Sequence, residues 1–401
     1  MIATPKAIIL GIIARAINPF IKVHKKTWVF ASNGGRTFGE GSKNLMQYTM
    51  GFDKSIDCTY ITRNKTVYNQ LKVNSIKCEL NWSIKGILAI AKADCIFFTH
   101  GPADIYYAFK KDNRCFYYLT HGQAYKVALN CLAEKENKKI RIPEKIKGVL
   151  RRYLFDLPSH NDSAFVSCCS DFISQFTRKE FNPECEIIVL GSPRNDILFT
   201  PQLLHDDFFD MFKRKKIITY MPTHRAYGKG KPSPTLFIHD EEKQKWLREH
   251  DVVVLIKQHP NMISQIIDSE SNDVVIDVTK KELDPQCVMI NSDVMITDYS
   301  SVWMDWLLLR RPLLHYFYDN FADEDAGYYY DLHDAPAGRI CESEDELFDA
   351  IKQCIIQPKT MLPSEQIVEK YHKYVDGDAC KRHFDKIVSR YEQCNLSLIH
   401  I

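Results

Sequence analysis

Residues Asn291–Asp319 read NSDVMITDYSSVWMDWLLLRRPLLHYFYD. An apolar strand, Val294-Met295-Ile296, runs directly into the polar turn Thr297-Asp298-Tyr299-Ser300-Ser301. A helical segment is expected from about Val302 to Leu309, and Pro312 opens a second apolar run. A strand, a turn at a helix start and a returning strand form the repeating unit of an α/β fold. The same unit makes an anion site. The first helical N–H groups have no partner inside the helix and carry the positive end of its dipole. Ser300 and Ser301 add hydroxyl donors there, so a phosphate fits. The simpler reading is that Asp298 or Ser300 merely caps the helix.

The rest of the chain repeats this pattern. Apolar runs that read as strands are Thr27–Ala31, Asp57–Ile61, Cys95–Thr99, Arg114–Leu119 and Ala164–Cys168 in the first half. Ile187–Leu190, Ile217–Met221, Val252–Lys257, Val274–Asp277, Val294–Thr297 and Leu313–Phe317 follow. Many are apolar on both faces, as parallel strands covered by helices on both sides must be. Ser42–Met50 and Ile84–Lys92 read as crossover helices. The expectation is two doubly wound Rossmann-like domains facing a central cleft, with ligands at the C-terminal ends of the strands. The boundary falls between Ser170 and Pro201, where Gly191-Ser192-Pro193-Arg194-Asn195-Asp196 punctuates the chain. This divides the sequence into a basic N-terminal segment (1–26), an N-terminal domain (27–185), a C-terminal domain (186–375) and a C-terminal loop and helix (376–401).

Composition excludes several classes. The chain has 401 residues, is 45% hydrophobic and carries a net charge of +2. That supplies core for two domains but lacks the basic excess of nucleic-acid binders. The 13 cysteines are scattered, without zinc-site spacing. In a chain of this length they read as buried thiols in a reducing cytoplasm rather than as a disulfide framework. No carboxylate cluster reads as a metal site, and no cofactor is expected. No segment reaches the ~20 apolar residues of a membrane span. Ala7–Ala14, Ile17, Phe20 and Ile21 are nevertheless apolar, with Arg15, Lys22, His24, Lys25 and Lys26 around them. That pattern suits a helix lying on an anionic membrane surface, and equally a helix packed on the protein body.

Polar clusters sit at the strand ends. Thr120-His121-Gly122-Gln123 follows one strand; histidine suits general base work near neutral pH, and Gly122 permits a tight turn and close ligand approach. Pro222-Thr223-His224-Arg225 follows another and offers a hydroxyl and a guanidinium fork to phosphate oxygens. Lys257-Gln258-His259-Pro260 adds a cation and an imidazole. The loop Arg225–Pro234 (RAYGKGKPSP) beside the second cluster reads as flexible. Asp376-Gly377-Asp378-Ala379-Cys380-Lys381-Arg382 lies in a late loop before a last helix. Any one of these is compatible with a solvated loop. Together they describe a site for a phosphorylated ligand served by one or two imidazoles.

In this order the strings resemble the CDP-glycerol glycerophosphotransferase family, whose members build teichoic acids and related capsular or lipopolysaccharide glycans. His121-Gly122, Pro222-Thr223-His224-Arg225, His259-Pro260, Thr297–Ser301 and Asp376-Gly377-Asp378-Ala379 match its motifs. So do the Gly-Ser-Pro-Arg-Asn-Asp string at 191–196 and the strand-loop-helix at Ser32–Tyr48. Three departures stand out. Gln123-Ala124 replaces the usual Thr-Pro, His224 replaces a Trp, and Asp378-Ala379-Cys380 replaces Lys-Ala-Ser. The resemblance implies a GT-B-like fold and transfer of a polyol phosphate, glycerol phosphate first, from a CDP-linked donor to a hydroxyl on a glycan or lipid-linked acceptor, with release of CMP. It implies that 27–185 is the acceptor-side domain and 186–375 the nucleotide-donor domain, with His121 as base and His259 as a second catalytic imidazole. Thr223, Arg225, Ser300 and Ser301 would hold the donor phosphates. Pro222, Lys257, Thr297, Asp298, Asp376 and Asp378 would contact the donor nucleotide or polyol, and Gly122 and Gln123 would lie on the acceptor side. The expected location is cytoplasmic, at the inner face of the membrane. Two other readings share these features: a GT-B transferase of a nucleotide sugar, and a non-catalytic peripheral scaffold.

Overall fold

The computed structural model describes residues 5–105, 113–125, 163–181, 183–203, 206–223, 234–258, 271–281, 283–319, 327–334 and 336–396. The chain forms two compact units. The first contains Met1–His121, Leu129–Asp196 and Asp376–Ile401; the second contains Gly122–Ala128 and Ile197–Val375. The C-terminal helix Ala379–Leu396 therefore belongs to the first unit.

Each unit is built on one parallel sheet. In the first, the strands are β1 (His24–Phe30), β2 (Asp57–Thr62), β3 (Cys78–Leu80), β4 (Ala93–Phe98), β5 (Cys115–Tyr118), β6 (Ser163–Cys168) and β7 (Ile187–Val189). They lie in the order β3-β2-β1-β4-β5-β6-β7, and every pairing is parallel. The second unit holds β8 (Lys216–Met221), β9 (Val252–Ile256), β10 (Val275–Asp277), β11 (Val294–Thr297), β12 (Leu313–Tyr316) and β13 (Arg339–Cys341). Their order is β10-β9-β8-β11-β12-β13, again all parallel. Both orders reverse direction once, between β1 and β4 and between β8 and β11. Right-handed crossovers then place helices on opposite faces of each sheet, which is the doubly wound arrangement.

All eleven expected strands are present, with ends shifted by up to three residues. Two further strands, β3 and β13, had no apolar run to announce them. Each is three residues long, sits at a sheet edge and includes a charged residue, Glu79 or Arg339. The expected helices at Ser42–Met50 and Ile84–Lys92 form as Glu40–Phe52 and Ile84–Lys92. The helix after β11 ends sooner than its apolar sequence promised. It spans Val302–Leu307, and Leu308–Arg310 continue as tight turns closed by i→i−3 bonds to Asp305, Trp306 and Leu307. Arg310 takes a φ of +52°, and Pro312 beyond it cannot continue a helix.

An aromatic row fixes the register of the first sheet. Phe30, Phe97, Tyr117 and Phe165 are successive partners across β1, β4, β5 and β6. Phe30 stacks on Phe97 at 4.4 Å and Phe97 on Tyr117 at 5.0 Å. Cross-strand aromatic pairs each contribute roughly 0.2–1 kcal/mol; here they align the strand ends from which the polar residues emerge. On the C-terminal helix, Phe384 packs on Trp28 at 5.9 Å, and the Trp28 indole N–H donates to the Tyr391 hydroxyl at 2.7 Å. The second unit's core is mainly aliphatic, with Ile218, Val254, Val294, Ile296, Leu314 and Ile351 fully buried or nearly so, and Tyr220, Phe237, Tyr316 and Phe348 among them.

The N-terminal segment forms a helix, Pro5–Ile17. Leu10 and Ala14 are buried, whereas Ile9, Ile12, Ile13 and Phe20 are exposed. The helix therefore has an apolar face packed on the protein and a second apolar face in solvent. Among the described residues no helix is long and apolar enough to cross a membrane. The described cysteines are free thiols, buried except for Cys115.

Two glycines separate close packing from open space. A Cβ on Gly86 would lie 2.2 Å from the Leu80 carbonyl, whereas one on Gly51 meets nothing within 4 Å. Gly86→Ala should destabilise the fold by about 1–3 kcal/mol through overpacking against backbone. Gly51→Ala should stabilise it by roughly 0.5–1 kcal/mol by removing chain entropy from the unfolded state. Urea unfolding of both variants checks the pair, and equal effects would contradict the packing described.

Candidate active site

In the first unit the sequence Thr-His-Gly occurs twice at strand ends, as Thr99-His100-Gly101 after β4 and Thr120-His121-Gly122 after β5. The two strands are neighbours, with Phe98 opposite Tyr118. The second histidine lies one residue farther from its strand than the first. Thr120 absorbs the difference with a φ of +53°, an uncommon conformation for a β-branched residue and one associated with functional turns. The two imidazoles stack face to face, with centroids 4.1 Å apart and planes 11° off parallel.

His121 Nδ1 lies 3.2 Å from the Thr99 carbonyl. A carbonyl oxygen only accepts, so Nδ1 carries the proton and Nε2 keeps its lone pair. The Arg194 guanidinium donates to the His121 carbonyl. Arg194 itself sits in the Gly191–Asp196 loop. Asn44 Nδ2 donates to the carbonyls of Pro193 at 3.0 Å and Arg194 at 3.2 Å. Asp196 accepts from the N–H groups of Ala379 at 2.9 Å and Cys380 at 2.6 Å, where the C-terminal helix begins. Gly191, at φ +80°, fits where a side chain would press on Ala379 and Arg382.

Asp104 holds the loops at this end of the sheet. It is fully buried. One oxygen accepts from the Gly34 N–H at 2.5 Å, after β1. The other accepts from the N–H groups of Thr99 at 2.8 Å and His100 at 3.0 Å, after β4. These are the two strands where the order reverses, the place where open α/β sheets bind ligands. Glu40, the first residue of the helix after β1, brings a carboxylate oxygen to 3.4 Å from His100 Nδ1. Burial, and then the adjacent His100, hold His121 below the usual imidazole range. By residue area His121 is exposed to solvent. It is neutral at physiological pH.

The second unit repeats the arrangement at β8 and β11. Thr297 Oγ1 donates to the Met221 carbonyl at 2.7 Å, and Asp298 Oδ1 accepts from the Thr223 N–H at 2.7 Å. Asp298 is fully buried, and the His315 ring meets its carbonyl at 3.4 Å. Tyr299 is anchored by its hydroxyl on the Asp319 carbonyl and by stacking on Phe317 at 4.5 Å. Thr297, Asp298 and Tyr299 thus fix the turn that carries the two serines. Ser300 Oγ accepts from the Val302 N–H only at 3.5 Å, too long for a strong cap. Ser301 is the N-cap residue, yet its side chain makes no cap bond. The capping explanation therefore accounts poorly for either serine. The Gly122 backbone approaches the same turn: a Cβ there would lie 3.0 Å from Ser301 Oγ.

Pro222 and Thr223 are buried beside this turn, and Lys257 follows β9, also buried, with burial lowering its pKa. His224, Arg225, His259 and most of the Arg225–Pro234 loop lie outside the described residues. Gly122 and Gln123, expected on the acceptor side beside His121, fall in the second unit. Asp376 and Asp378 lie in the first unit. Asp376 accepts two hydrogen bonds from Arg382, both at 2.9 Å, and one from the Asp378 N–H at 3.0 Å. Among the described residues no three His, Cys, Asp or Glu side chains converge as a metal site. Glu40, His100, Asp104 and the Arg194 contact were not anticipated. The repeated Thr-His-Gly tripeptide was the available signal for His100.

Comparisons with known proteins bear on the fold and the family. The teichoic acid poly(glycerol phosphate) polymerase of Bacillus spizizenii is 24% identical over 382 residues, covering 91% of this chain and 92% of the relative. The teichoic acid ribitol-phosphate polymerase TarK of Staphylococcus aureus is 28% identical over 233 residues. That match covers 55% of this chain but only 44% of TarK. The solved structure of the wall teichoic acid polymerase TagF superposes with a TM-score of 0.73 over 97% of this chain and 94% of that one, at 22% identity. The profile for CDP-glycerol:poly(glycerophosphate) glycerophosphotransferases matches residues 13–389, and the chain belongs to that family.

Proposed function

We propose that the protein transfers a polyol phosphate, glycerol phosphate in the first instance, from a CDP-linked donor to a hydroxyl on a cell-surface glycan or its lipid-linked precursor. The observation that carries the reading is the fixed tautomer of His121, whose Nδ1–H is held by the Thr99 carbonyl. That leaves Nε2 unprotonated in a neutral ring, the state a general base needs. Family membership supplies the substrate class. The names of the relatives include both glycerol and ribitol phosphate polymerases, and TagF has been solved after soaking with CDPG.

The acceptor oxygen attacks the phosphorus that bears the polyol, and its proton passes to His121 Nε2. A new P–O bond forms, the P–O bond to CMP breaks, and CMP leaves with the electron pair. Catalysis of this kind rests on positioning and on stabilising charge. Thr223, Ser300, Ser301 and Arg225 hold the donor phosphates, and His259 and Lys257 stabilise the leaving group. Pro222 shapes the nucleotide pocket. Thr297 and Asp298 serve by holding the turn that presents the serines. Asp376, oriented by Arg382, and Asp378 are the candidates for a polyol or ribose hydroxyl. The GT-B-like arrangement of the two units is part of the proposal. The exposed Ile9, Ile12, Ile13 and Phe20, with Lys22 and Lys25 nearby, form the proposed contact with an anionic membrane at its cytoplasmic face.

A panel of nucleotide donors tests the reading directly. CMP release from CDP-glycerol or CDP-ribitol, seen by chromatography, is expected; UDP release from a UDP-sugar would transfer the assignment to a sugar transferase. His121→Ala should lower kcat by roughly 10²- to 10⁴-fold, the range for losing a general base. In the wild type the acidic limb of kcat/KM should lie below the ordinary imidazole value of about 6.5, because protonating His121 is what removes the base. Ser301→Ala should raise donor KM by about tenfold, the loss of one charge-assisted hydrogen bond, with kcat little changed. Ile12→Asp should abolish co-sedimentation with anionic vesicles while leaving donor turnover in solution intact; undiminished binding would remove the membrane contact.

A further inference from the structure

We propose that Glu40 is a positioning residue for His121, acting across the stacked ring of His100; the inference rests on the reading of His121 as the general base. A continuous line of contacts carries it. A Glu40 carboxylate oxygen lies 3.4 Å from His100 Nδ1, the Thr99 hydroxyl lies 3.0 Å from the same nitrogen, and His100 stacks on His121 at 4.1 Å. The Thr99 carbonyl then holds His121 Nδ1 from the other side. The base is thereby fixed in plane by its stacking partner and in tautomer by a carbonyl. Glu40 places its charge against the edge of the stacking partner, beside the Thr99 hydroxyl that meets the same nitrogen.

The backbone supports a dedicated role. Glu40 opens its helix at φ +57°, a conformation that L-residues seldom adopt and that glycine would adopt freely. A favourable interaction with the helix dipole explains an acid in the first turn. It does not explain why that acid reaches the histidine pair from a left-handed backbone.

Charge completes the picture. When His121 takes the acceptor proton it becomes a cation with a second imidazole stacked on it, and two stacked imidazolium rings repel. Glu40 favours the protonated form of His121, while His100 and Arg194 oppose it. Asp104 favours the charged form of His100, against burial, Arg194 and Arg36. Burial raises the pKa of Glu40, and Thr99, His121 and Arg194 pull it back toward the ionised form. The proton that His121 takes up in the reaction is thus favoured by Glu40 and opposed by the stacked His100.

The test uses the full-length enzyme with Glu40→Gln and Glu40→Asp. Turnover of CDP-glycerol is followed across pH, and the histidine ring resonances are titrated by NMR, assigned with His121→Asn and His100→Asn. Glu40→Gln should lower kcat by about tenfold or more, a fraction of a full general-base effect, and leave donor KM unchanged. The His121 titration and the acidic limb of kcat/KM should both move to lower pH, because an anion that favours the imidazolium is gone. Glu40→Asp keeps the charge at a shorter reach, should give a smaller shift, and serves as the probe if the glutamine variant does not fold. A His121 titration that stays in place in the variants overturns the proposal even if kcat falls, since that is what a purely structural Glu40 would do. Normal turnover by His121→Ala alongside a shifted titration would instead sink the general-base reading and leave the coupling standing.

Discussion

A parallel strand covered on both faces leaves little place for an unpaired polar side chain except at its ends. In β4, β9, β11 and β12 every residue is buried. A polar group placed among them without a partner costs roughly 1–3 kcal/mol. The chemistry is therefore displaced to the C-terminal edges, where loops begin and helix N–H groups point outward. Within each sheet the order reverses once, and the two strands at the reversal lead their loops apart. Each reversal is bridged by a fully buried carboxylate: Asp104 between the loops after β1 and β4, and Asp298 between the ends of β8 and β11. The histidines of one unit and the serines of the other are presented by what these two aspartates hold in place.

The same constraint decides which parts of the molecule were legible in the sequence. Short, mainly apolar runs announced eleven strands, because a strand buried on both faces must be largely apolar. The edge strands β3 and β13 gave no such signal; each is three residues long, and an edge tolerates a Glu or an Arg. The turn at Thr297–Ser301 could be placed at a strand end from sequence. Its internal division of labour could not. Asp298 belongs to Thr223, 75 residues away, and such a pairing follows from strand order rather than from local pattern.

Strand order also hid Glu40 and His100. Glu40 stands at a helix start, where an acid is unremarkable, and His100 lies in a Thr-His-Gly string like that of His121. Only the adjacency of β4 and β5 stacks the two rings, and only the helix after β1 brings the carboxylate to them. The motif marked His121; the fold supplied the groups around it. The Arg382 partner of Asp376 was likewise not visible in the sequence, because a conspicuous Asp-Gly-Asp string does not reveal an arginine in the helix that follows.

The proposed chemistry requires His121 to act as a base in a single in-line displacement, and not as a nucleophile that first takes the phosphoryl group. These alternatives differ in stereochemistry. The most direct measurement is the configuration of the transferred phosphorus, with a CDP-polyol donor made chiral there by sulfur substitution and the extended product analysed after one turnover. Inversion of configuration is the predicted result. Retention would mean two successive displacements through a covalent enzyme intermediate, and would contradict the role of His121 as a general base.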